Sequence, residues 1–570
     1  MRVLFVYPNL YTQMGFNHGL ASLSAVLKAD GHETRLLNLN ENLGTVPSDE
    51  ELYADVRGWG PGLIGFSCLT MQYREAVRIA SMLRRRADAE GIELPPFVVG
   101  GIHPTMVPEE VMADGVWDHV GVGECEDALL ALVRATERGE RPDDLPNFLS
   151  WKDGVRPAAA DACWAEDAEP LPLEEARALF RRNPVGEFPD FAALPIPDYA
   201  LFETQAILDQ KHGWFGLMTS RGCPYRCTYC LNHRVVDTYR ADLGRGTSDI
   251  GFFRYRPPEK MVEEIAHVLD HYDGVGTFIL DDDLFTMNAE HALAFARAYR
   301  EAGFTVPWVV NSHVKRLEPT LAQGLFDGGC RILKLGIESG SERVRKEVLK
   351  RFMSDEDILE TVASGEEAGL HTSGFVMIGL PTESRSERWE TVSLLAKSRI
   401  GRFRTSLFFP FPGTESYDLS IARGYVTEEE VGTLTEFTAS SCLDFGEEEN
   451  LLIAKLATCM PWFVNAALDR TGPAPASARY APLVDEVLRM TRKQWEAFAP
   501  DVRARDAELS AAAVRAGELH YAIRFNAFMG VRSDWFLAED TGIEWATAAA
   551  KPVPDRLREL ALAAAADEVC

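Results

Sequence analysis

The stretch that decides the fold is TSRGCPYRCTYCLNH, residues Thr219 to His233. It places Cys223, Cys227 and Cys230 in a CxxxCxxC spacing, within a loop that contains glycine and proline. Three thiolates can hold three irons of a four-iron cluster and leave the fourth open to an external ligand, whereas a closed structural site normally takes four protein ligands. The spacing therefore indicates an open iron-sulfur site. The alternatives are zinc with His233 as fourth ligand, or three cysteines that share no metal.

Composition narrows the class of protein. The other seven of the ten cysteines are scattered, which favours one metal site in a reducing compartment over a disulfide framework. No run approaches the ~18 apolar residues of a membrane helix, and the amino terminus lacks the features of a signal peptide, so we expect a cytoplasmic protein without a membrane span. The net charge of −29 would repel a phosphate backbone, so nucleic acid is not an expected partner.

Apolar and amphipathic segments alternate on both sides of the cysteine stretch, and 570 residues are too many for one core. Residues 1–140 predict a doubly wound, Rossmann-like domain, and six strand candidates from Trp214 onward predict a partial (β/α)6 barrel over residues 206–425. Residues 141–205 are rich in proline, alanine and acids and predict a linker. Residues 426–570 predict a helical C-terminal domain. The predicted fold class is therefore α/β with a helical C-terminal part.

The cysteine stretch resembles the signature of the radical S-adenosylmethionine (SAM) superfamily, CxxxCxφC, with Tyr229 as the aromatic residue φ. The resemblance implies that the three cysteines hold a 4Fe-4S cluster whose open iron chelates SAM. Reduction of the cluster would then yield a 5′-deoxyadenosyl radical, with the cofactors supplying that chemistry and the protein positioning the substrate. An electron donor such as flavodoxin or ferredoxin is implied as a partner.

Motifs at the ends of later barrel strands match the places where this family binds SAM. FILDDDLF resembles the DD-x-F variant of cobalamin-dependent members, GIESGS resembles the ESGS element, and IGLP ends the fifth strand. The chemistry of such barrels collects at the carboxyl ends of their strands. The residues expected at SAM are Tyr229, Asp282, Asn311, Ser312, Glu338, Ser339 and Leu380.

The first 140 residues by themselves indicate only a cofactor-binding domain, whose ligand would lie beyond the carboxyl ends of its strands. Together with the cysteine stretch they resemble the cobalamin-binding radical SAM proteins, over residues 1–425. A domain that keeps this fold without its cofactor is the alternative. The DxHxxG motif that supplies a histidine to cobalt in many cobalamin enzymes is absent, so neither His18 nor His103 is assigned as an axial ligand. The residues expected at cobalamin are Asn9, Ser67, Thr70, Gly100, Gly101, His103, Gly121, Gly123 and Glu124.

The double resemblance, to the class B radical SAM methyltransferases in particular, implies an enzyme that methylates an unactivated carbon of a small-molecule or peptide substrate. The 5′-deoxyadenosyl radical would abstract a hydrogen atom, and methylcobalamin would supply the methyl group. A radical cyclisation, oxidation or ring rearrangement without methyl transfer is the alternative, and a non-catalytic cofactor-binding sensor is the alternative of another class. The segment from His520 to Phe536 would line a substrate pocket or pack in a core at helical spacing.

Overall fold

Tertiary contacts divide the chain into two units. A computed structural model describes residues 1–10, 14–161, 163–164, 169–434, 440–469 and 475–540. The first unit comprises Met1–Gly276 with Phe411–Asp418, and the second comprises Thr277–Pro410 with Leu419–Cys570. The domain boundaries predicted near residues 140, 205 and 425 are not tested by this division and stay predictions. No helix within those described ranges is both long and apolar enough to cross a membrane.

The first unit contains ten strands and eleven complete α-helices in its described residues. The strands are β1 (Arg2–Tyr7), β2 (Glu33–Asn38), β3 (Leu63–Ser67), β4 (Phe97–Gly100), β5 (His119–Gly121), β6 (Phe148–Trp151), β7 (Phe180–Arg182), β8 (Trp214–Leu217), β9 (Ser220–Arg221) and β10 (Arg254–Tyr255). The helices are α1 (His18–Ala29), α2 (Asp49–Trp59), α3 (Thr70–Ala89), α4 (Ile102–Met106), α5 (Pro108–Ala113), α6 (Glu126–Glu137), α7 (Ala158–Asp161), α8 (Leu173–Leu179), α9 (Thr204–Gln210), α10 (Asn232–Leu243) and α11 (Pro258–His271).

The main sheet of this unit has the order β2-β1-β3-β4-β5-β6-β7. Strands β1 to β5 are parallel, in the doubly wound arrangement that the sequence predicts. The inner strands β1, β3 and β4 are apolar and buried over most of their length, because helices cover both faces of such a sheet. The strand order reverses direction between β1 and β3, and ligands of doubly wound sheets bind beyond the carboxyl ends of the strands at that point.

Residues 141–205, predicted as a linker, contribute two strands to the same sheet. β6 pairs antiparallel with β5, and β7 pairs antiparallel with β6. All four residues of β6 are buried, and β7 has only three residues, so neither shows the apolar-polar alternation that marks a half-buried strand. This part of the segment therefore belongs to the core of the first unit.

The second unit contains the remaining strands and α-helices of the described residues, except that the first four residues of the helix Glu415–Ala422 belong to the first unit. The strands are β11 (Thr277–Leu280), β12 (Trp308–Ser312), β13 (Cys330–Glu338), β14 (His371–Ile378), β15 (Arg402–Leu407), β16 (Tyr521–Ile523) and β17 (Met529–Arg532). The helices are α12 (Ala289–Glu301), α13 (Pro319–Asp327), α14 (Asp355–Glu367), α15 (Arg385–Ser398), α16 (Glu415–Ala422), α17 (Glu428–Thr433), α18 (Glu447–Ala467), α19 (Ser477–Arg489), α20 (Arg492–Phe498), α21 (Val502–Arg515) and α22 (Ser533–Asp540).

Strands β11 to β15 are parallel neighbours in chain order, and helices α12 to α15 connect or follow them. They are the second to sixth of the six predicted barrel strands. The first, β8, lies in the first unit. Capping boxes start α14 at Ser354 and α15 at Ser384, since each serine and the acid three residues later satisfy each other's backbone N–H groups. The predicted α/β class is confirmed, and the described C-terminal part is mainly helical.

The segment from His520 to Phe536 differs from the helical spacing expected for it. It forms the antiparallel hairpin β16–β17 and the start of α22, and β17 also pairs antiparallel with β15. Tyr521, Val531 and Trp535 are buried. Core packing was one of the two expectations for this segment, and these three side chains are indeed buried. The segment forms two strands where helical spacing was expected. Residues 541–570 of the predicted helical domain lie outside the described residues.

Candidate functional site

The residues expected at cobalamin lie at one edge of the first sheet, where the carboxyl ends of β1, β3, β4 and β5 meet. Asn9 follows β1, Ser67 ends β3, Gly100 ends β4 and Gly121 ends β5. The others, Thr70, Gly101, His103, Gly123 and Glu124, lie in the turns and first helical residues that follow. The structure therefore brings the predicted set together, while their role as cobalamin contacts stays a prediction.

Neutral polar groups connect the loops of this edge. The side-chain amide of Asn17, which caps α1, donates to Ser67 Oγ at 3.1 Å. Thr70 Oγ1 and His103 Nδ1 are 3.3 Å apart. Burial lowers the pKa of His103 to about 4, so its imidazole is neutral at physiological pH. The edge therefore offers hydroxyl, amide and imidazole groups and no charge from His103.

The two glycines after β4 have different surroundings. A Cβ atom on Gly100 would meet no protein atom within 4 Å. A Cβ on Gly101 would lie 2.7 Å from the carbonyl oxygen of Cys68, and Gly101 has a φ of 101° that side chains rarely adopt. Gly101 is therefore required by close packing against the β3 loop, whereas Gly100 borders open space.

The two glycines after β5 are surrounded by protein atoms. A Cβ on Gly121 would lie 3.1 Å from Cys125 Sγ, and a Cβ on Gly123 would lie 2.5 Å from the hydroxyl of Tyr239. Gly123 also has a φ of 74°. The sequence analysis assigned both glycines to the approach of a ligand, but their neighbours in this structure are side chains of the same unit.

Glu124 is the one acidic residue expected at cobalamin. Its carboxylate contacts the guanidinium groups of Arg221 and Arg254. Burial opposes ionisation of Glu124, but the two arginines outweigh this effect and lower its pKa. Neither arginine was predicted from the sequence, although Arg221 lies within the quoted cysteine stretch and Arg254 stands between Phe253 and Tyr255.

The three signature cysteines lie in the loop between β9 and α10. The backbone N–H of Cys230 donates to the carbonyl oxygen of Cys227 at 3.1 Å, which closes a turn. Cys227 is buried, and Cys223 and Cys230 are half-buried. Gly222, which precedes Cys223, has a φ of 100°, and a Cβ there would collide with the carbonyl oxygen of Phe252. The entry to the loop is thereby held against the segment that contains Phe252.

A second contact holds the middle of this loop. Ser416, in the part of the chain that belongs to the first unit, donates from its backbone N–H to the carbonyl oxygen of Thr228 at 3.0 Å. Its hydroxyl also donates to Thr228 Oγ1 at 2.8 Å. Thr228 stands between Cys227 and Tyr229, and Tyr229 is half-buried. Two hydrogen bonds from Ser416 therefore hold the interior of the CxxC segment.

The chemistry of these donors fits an iron-sulfur cluster. Across the described ranges, no three or more His, Cys, Asp or Glu side chains are grouped as a metal site. Metal sites are commonly completed only when the metal binds, and three thiols on one short loop are the donor set of a cluster with an open iron. His233, the fourth ligand of the zinc alternative, is 2% exposed on α10, and burial lowers its pKa.

In the second unit, the ends of β11 and β12 carry three of the residues expected at SAM. Asp282 is buried, whereas Asp281 and Asp283 are exposed. The side-chain amide of Asn311 donates to the carbonyl oxygen of Asp282 at 2.8 Å. The hydroxyl of Ser312 lies 2.7 Å from that of Thr286. The two strand ends are thus joined by side-chain hydrogen bonds.

Glu338, at the end of β13, has a left-handed backbone with a φ of 67°. The pairing of β13 with β14 shifts register between Gly336 and Glu338. A Cβ on Gly336 would lie 2.5 Å from Glu338 Oε1, so the glycine makes room for this carboxylate. Arg351 donates to the carbonyl oxygen of Gly336 at 2.6 Å and lies 4.0 Å from Glu338. Such backbone strain of a non-glycine residue is concentrated at functional sites.

Ser339 and the following turn are fixed by a buried arginine. Arg345, in a short π-helix over Val344–Val348, donates to the carbonyl oxygen of Ser339 at 2.7 Å. It also donates to the carbonyl oxygen of Met353 at 3.3 Å. Ser339 Oγ accepts from the N–H of Ser341 at 3.2 Å. Hydrogen bonds from Arg345 and Ser341 therefore hold the predicted SAM element in this conformation.

The IGLP turn after β14 is held by a buried acid. Glu383 Oε2 accepts from the N–H groups of Gly379 at 2.8 Å and Leu380 at 3.4 Å. Burial raises the pKa of Glu383 to about 7 although Arg388 acts in the opposite direction. Sequence reasoning missed Glu383, Arg345 and Arg351. Glu383 and Arg345 follow their motifs by two and four residues, whereas Arg351 lies ten residues beyond the GIESGS element.

Two family models match the chain. The B12 binding domain matches residues 11–133, and the Radical SAM superfamily matches residues 217–395. Together they span more than half of the chain, and the second includes the cysteine loop and the strand ends of β11 to β14. The chain therefore contains a radical SAM domain and a B12-binding domain. It is a radical SAM enzyme.

Known proteins are similar to the chain over most of their length. The chain is 25% identical over 433 residues to an uncharacterized methyltransferase, PH0819, of Pyrococcus horikoshii. This alignment covers 74% of the present chain and 84% of PH0819. It is 22% identical over 487 residues to the anaerobic magnesium-protoporphyrin IX monomethyl ester cyclase of Rubrivivax gelatinosus. That alignment covers 82% of the present chain and 78% of the cyclase. The radical S-adenosylmethionine methyltransferase TsrM of Kitasatospora setae superposes with a TM-score of 0.54 at 18% identity, over 75% of this chain and 77% of TsrM.

Proposed function

We propose that the protein is a cobalamin-dependent radical SAM methyltransferase that methylates an unactivated carbon of a small-molecule or peptide substrate. The observation that carries the proposal is the presence in one chain of the B12-binding match and of the CxxxCxxC loop inside the radical SAM match. Similarity to a methyltransferase of Pyrococcus horikoshii over most of both chains supports it.

Each set of residues has its own task in this proposal. Cys223, Cys227 and Cys230 would hold a 4Fe-4S cluster. When bound, the cluster and SAM would supply a 5′-deoxyadenosyl radical, and methylcobalamin would supply the methyl group. The strand-end residues of the second unit remain the predicted SAM contacts. Flavodoxin or ferredoxin as electron donor, and the cytoplasm as location, also stay predictions.

The edge of the first sheet has the properties that a cobalamin site needs. Hydroxyl and amide groups of Ser67, Thr70 and Asn9 can both donate and accept hydrogen bonds, which suits a cofactor with amide groups around its ring. Gly100 leaves open space beside them. Neutral His103 contacts Thr70 and packs on Tyr73, with ring centroids 4.3 Å apart, so it supports the edge from within the protein.

The first experiment needs no substrate. Protein made with cobalamin available, and reconstituted with iron and sulfide under anaerobic conditions, is expected to contain about four irons and one cobalt per chain. With a reductant and SAM labelled in its methyl group, the label is expected in the bound cobalamin, and 5′-deoxyadenosine is expected as a product. Four irons without cobalt would withdraw the methylcobalamin step, and zinc in place of iron would contradict the radical chemistry.

A matched pair of variants makes this result specific to the loop. Cys223→Ala removes one predicted cluster ligand, and Cys163→Ala removes a half-buried cysteine outside the loop. Only the first is expected to lose the cluster and the formation of 5′-deoxyadenosine. Full biological activity of Cys223→Ala would instead favour the non-catalytic sensor.

A radical cyclisation without methyl transfer is the second candidate. It is favoured by the similarity of the chain to the cyclase of Rubrivivax gelatinosus, which extends over 82% of this chain. Methyl-labelled SAM separates the two candidates once a substrate is found. Label in the product would support methyl transfer, and a product without label would support cyclisation, oxidation or rearrangement.

A further inference from the structure

We propose that Glu124, in the loop after β5, and Glu126, the first residue of α6, are positioning residues for the cysteine loop, and that they couple cluster binding to cobalamin binding. The inference rests on the proposed function, because it assigns a role to the contacts between the predicted cobalamin edge and this loop. The two carboxylates act through Arg221 and Arg254. All four residues belong to the first unit.

The ion pairs are extensive and shielded from water. Arg254 Nη1 donates to Glu124 Oε2 at 2.9 Å, and its Nη2 contacts the other carboxylate oxygen. Arg221 Nη1 contacts Glu124 and donates to Glu126 Oε1 at 2.8 Å. Glu126 Oε1 also accepts from Ser22 Oγ at 2.8 Å. The side chain of Glu126 is 4% exposed and those of both arginines are 13% exposed. Removing one partner from such a group leaves a poorly solvated charge.

Aromatic residues of the segment predicted as a linker cover the two arginines. The guanidinium carbon of Arg221 lies 4.7 Å from the ring centroid of Phe191, and that of Arg254 lies 4.4 Å from that of Phe188. Phe188 in turn stacks on Tyr239 at 3.8 Å. Rings in these positions attract the cations and exclude water, which strengthens the ion pairs beneath them.

The arginines stand directly at the entry to the cysteine loop. Arg221 ends β9 and precedes Cys223 by two residues. β9 pairs antiparallel with β10, and the register places Arg221 opposite Arg254. Because Gly222 packs against the Phe252 backbone, the chain between Arg221 and Cys223 has little freedom to absorb a shift. A displacement of Arg221 therefore moves Cys223.

The same β5 loop also contacts the exit from the cysteine loop. Tyr239 lies on α10, the helix that follows the three cysteines. The backbone N–H of Glu124 donates to the Tyr239 hydroxyl at 3.3 Å, and Asn147 Nδ2 donates to the same oxygen at 3.2 Å. Gly123 lets the hydroxyl approach this closely. Two consecutive residues, Gly123 and Glu124, thus contact the chain on both sides of the signature.

This arrangement connects two predicted cofactor sites through one short loop. Val120 to Glu126 is among the loops expected to hold cobalamin, so a ligand that orders this loop would also order the flanks of the cysteine loop. If bound cobalamin raises the affinity of the loop for the cluster by some factor, linkage requires that the bound cluster raise the affinity for cobalamin by the same factor. The carboxylate of Glu124 contacts both arginines and acts on the cluster loop, while its contact with cobalamin stays a prediction.

The test measures release of iron from reconstituted protein to a ferrous chelator, with and without hydroxocobalamin, under anaerobic conditions. Bound cobalamin is expected to slow the release in the unsubstituted protein. Glu126→Gln and Arg254→Gln are expected to release iron at least about tenfold faster, the factor that loss of about 1.4 kcal/mol produces. In both variants the slowing by cobalamin is expected to shrink, while cobalamin still binds as followed by its absorbance.

Arg138→Gln is the matched control, because it breaks the exposed Arg138–Glu140 pair in the same sheet domain. Iron release from Glu126→Gln at the rate of this control would overturn the positioning role, and an undiminished effect of cobalamin would overturn the coupling. Arg254→Lys, which keeps the charge, is expected to restore part of both effects and excludes general misfolding. If the unsubstituted protein bound no cobalamin, the proposed function would fail, and the release rates would still decide the positioning role.

Discussion

Gly101→Ala and Gly100→Ala place the same methyl group at two adjacent positions with opposite surroundings. At Gly101 the new Cβ would lie 2.7 Å from the carbonyl oxygen and 3.0 Å from the backbone nitrogen of Cys68. Both are main-chain atoms of the β3 loop, which cannot rotate away as a side chain can. At Gly100 the new Cβ would meet no protein atom within 4 Å.

The magnitude follows from two contributions. Gly101 has a φ of 101° and a ψ of −166°, a region almost confined to glycine, where another residue costs roughly 1–3 kcal/mol. Relief of the collision would also stretch the hydrogen bonds from Cys68 N–H to the Gly100 oxygen and from His103 N–H to the Cys68 oxygen, at about 1 kcal/mol each. We expect Gly101→Ala to destabilise this edge by about 3 kcal/mol, or roughly a hundredfold in its opening equilibrium.

Hydrogen exchange of peptides covering residues 97–106 measures that opening locally, which suits a chain with two units better than a global melting curve. Gly100→Ala is expected to change the opening free energy by less than about 0.5 kcal/mol. It is expected to weaken cobalamin binding, because its methyl group points into the space predicted for the ligand. Equal exchange in Gly101→Ala and Gly100→Ala would refute the packing argument, and unchanged cobalamin affinity of Gly100→Ala would place the ligand elsewhere.

Two further predictions concern the second unit. Burial raises the pKa of Glu383 to about 7, so its carboxyl group favours the folded state at low pH, and this contribution is lost as the pH rises through 7. Between pH 5.5 and 8, the melting temperature of the unsubstituted protein should therefore fall further than that of Glu383→Gln. Parallel plots of melting temperature against pH for the two proteins would contradict this. Arg345→Met leaves the carbonyl oxygen of Ser339 without its buried donor and is expected to cost about 2 kcal/mol in urea unfolding and to weaken SAM binding in equilibrium dialysis. Lys346→Met, which breaks an exposed pair with Glu342, is the control and should cost less than about 0.5 kcal/mol.

Local features of the chain were enough to predict the elements that carry the site. Buried parallel strands are often continuous apolar runs, so β1, β3, β4 and β12 were visible as such. The ligands of one metal loop lie within eight residues, and so Cys223, Cys227 and Cys230 could be assigned from their spacing. The carboxyl ends of parallel strands share one edge, which places Asn9, Ser67 and Gly100 together without any knowledge of their contacts.

The hairpin β16–β17 and the strands β6 and β7 were not predictable in the same way. Three or four residues are too few to show a period, and whether they form a strand depends on the neighbour that completes their hydrogen bonds. β17 forms because β15 lies beside it, more than a hundred residues earlier in the chain. The sequence of His520 to Phe536 is compatible with helical spacing. It forms a hairpin because β17 pairs with β15.

By itself the sequence determined the cofactor-binding loops of this protein, because their spacing is a property of consecutive residues. Only the tertiary structure decided which side chains hold those loops in place. Arg221 and Glu124 are 97 residues apart, and Arg254 and Glu124 are 130 apart. With 58 basic and 87 acidic side chains, the chain offers thousands of possible ion pairs. Charge alone does not determine which of these pairs form. The folded backbone determines it, because a strong ion pair needs two groups brought within a few ångströms and shielded from water.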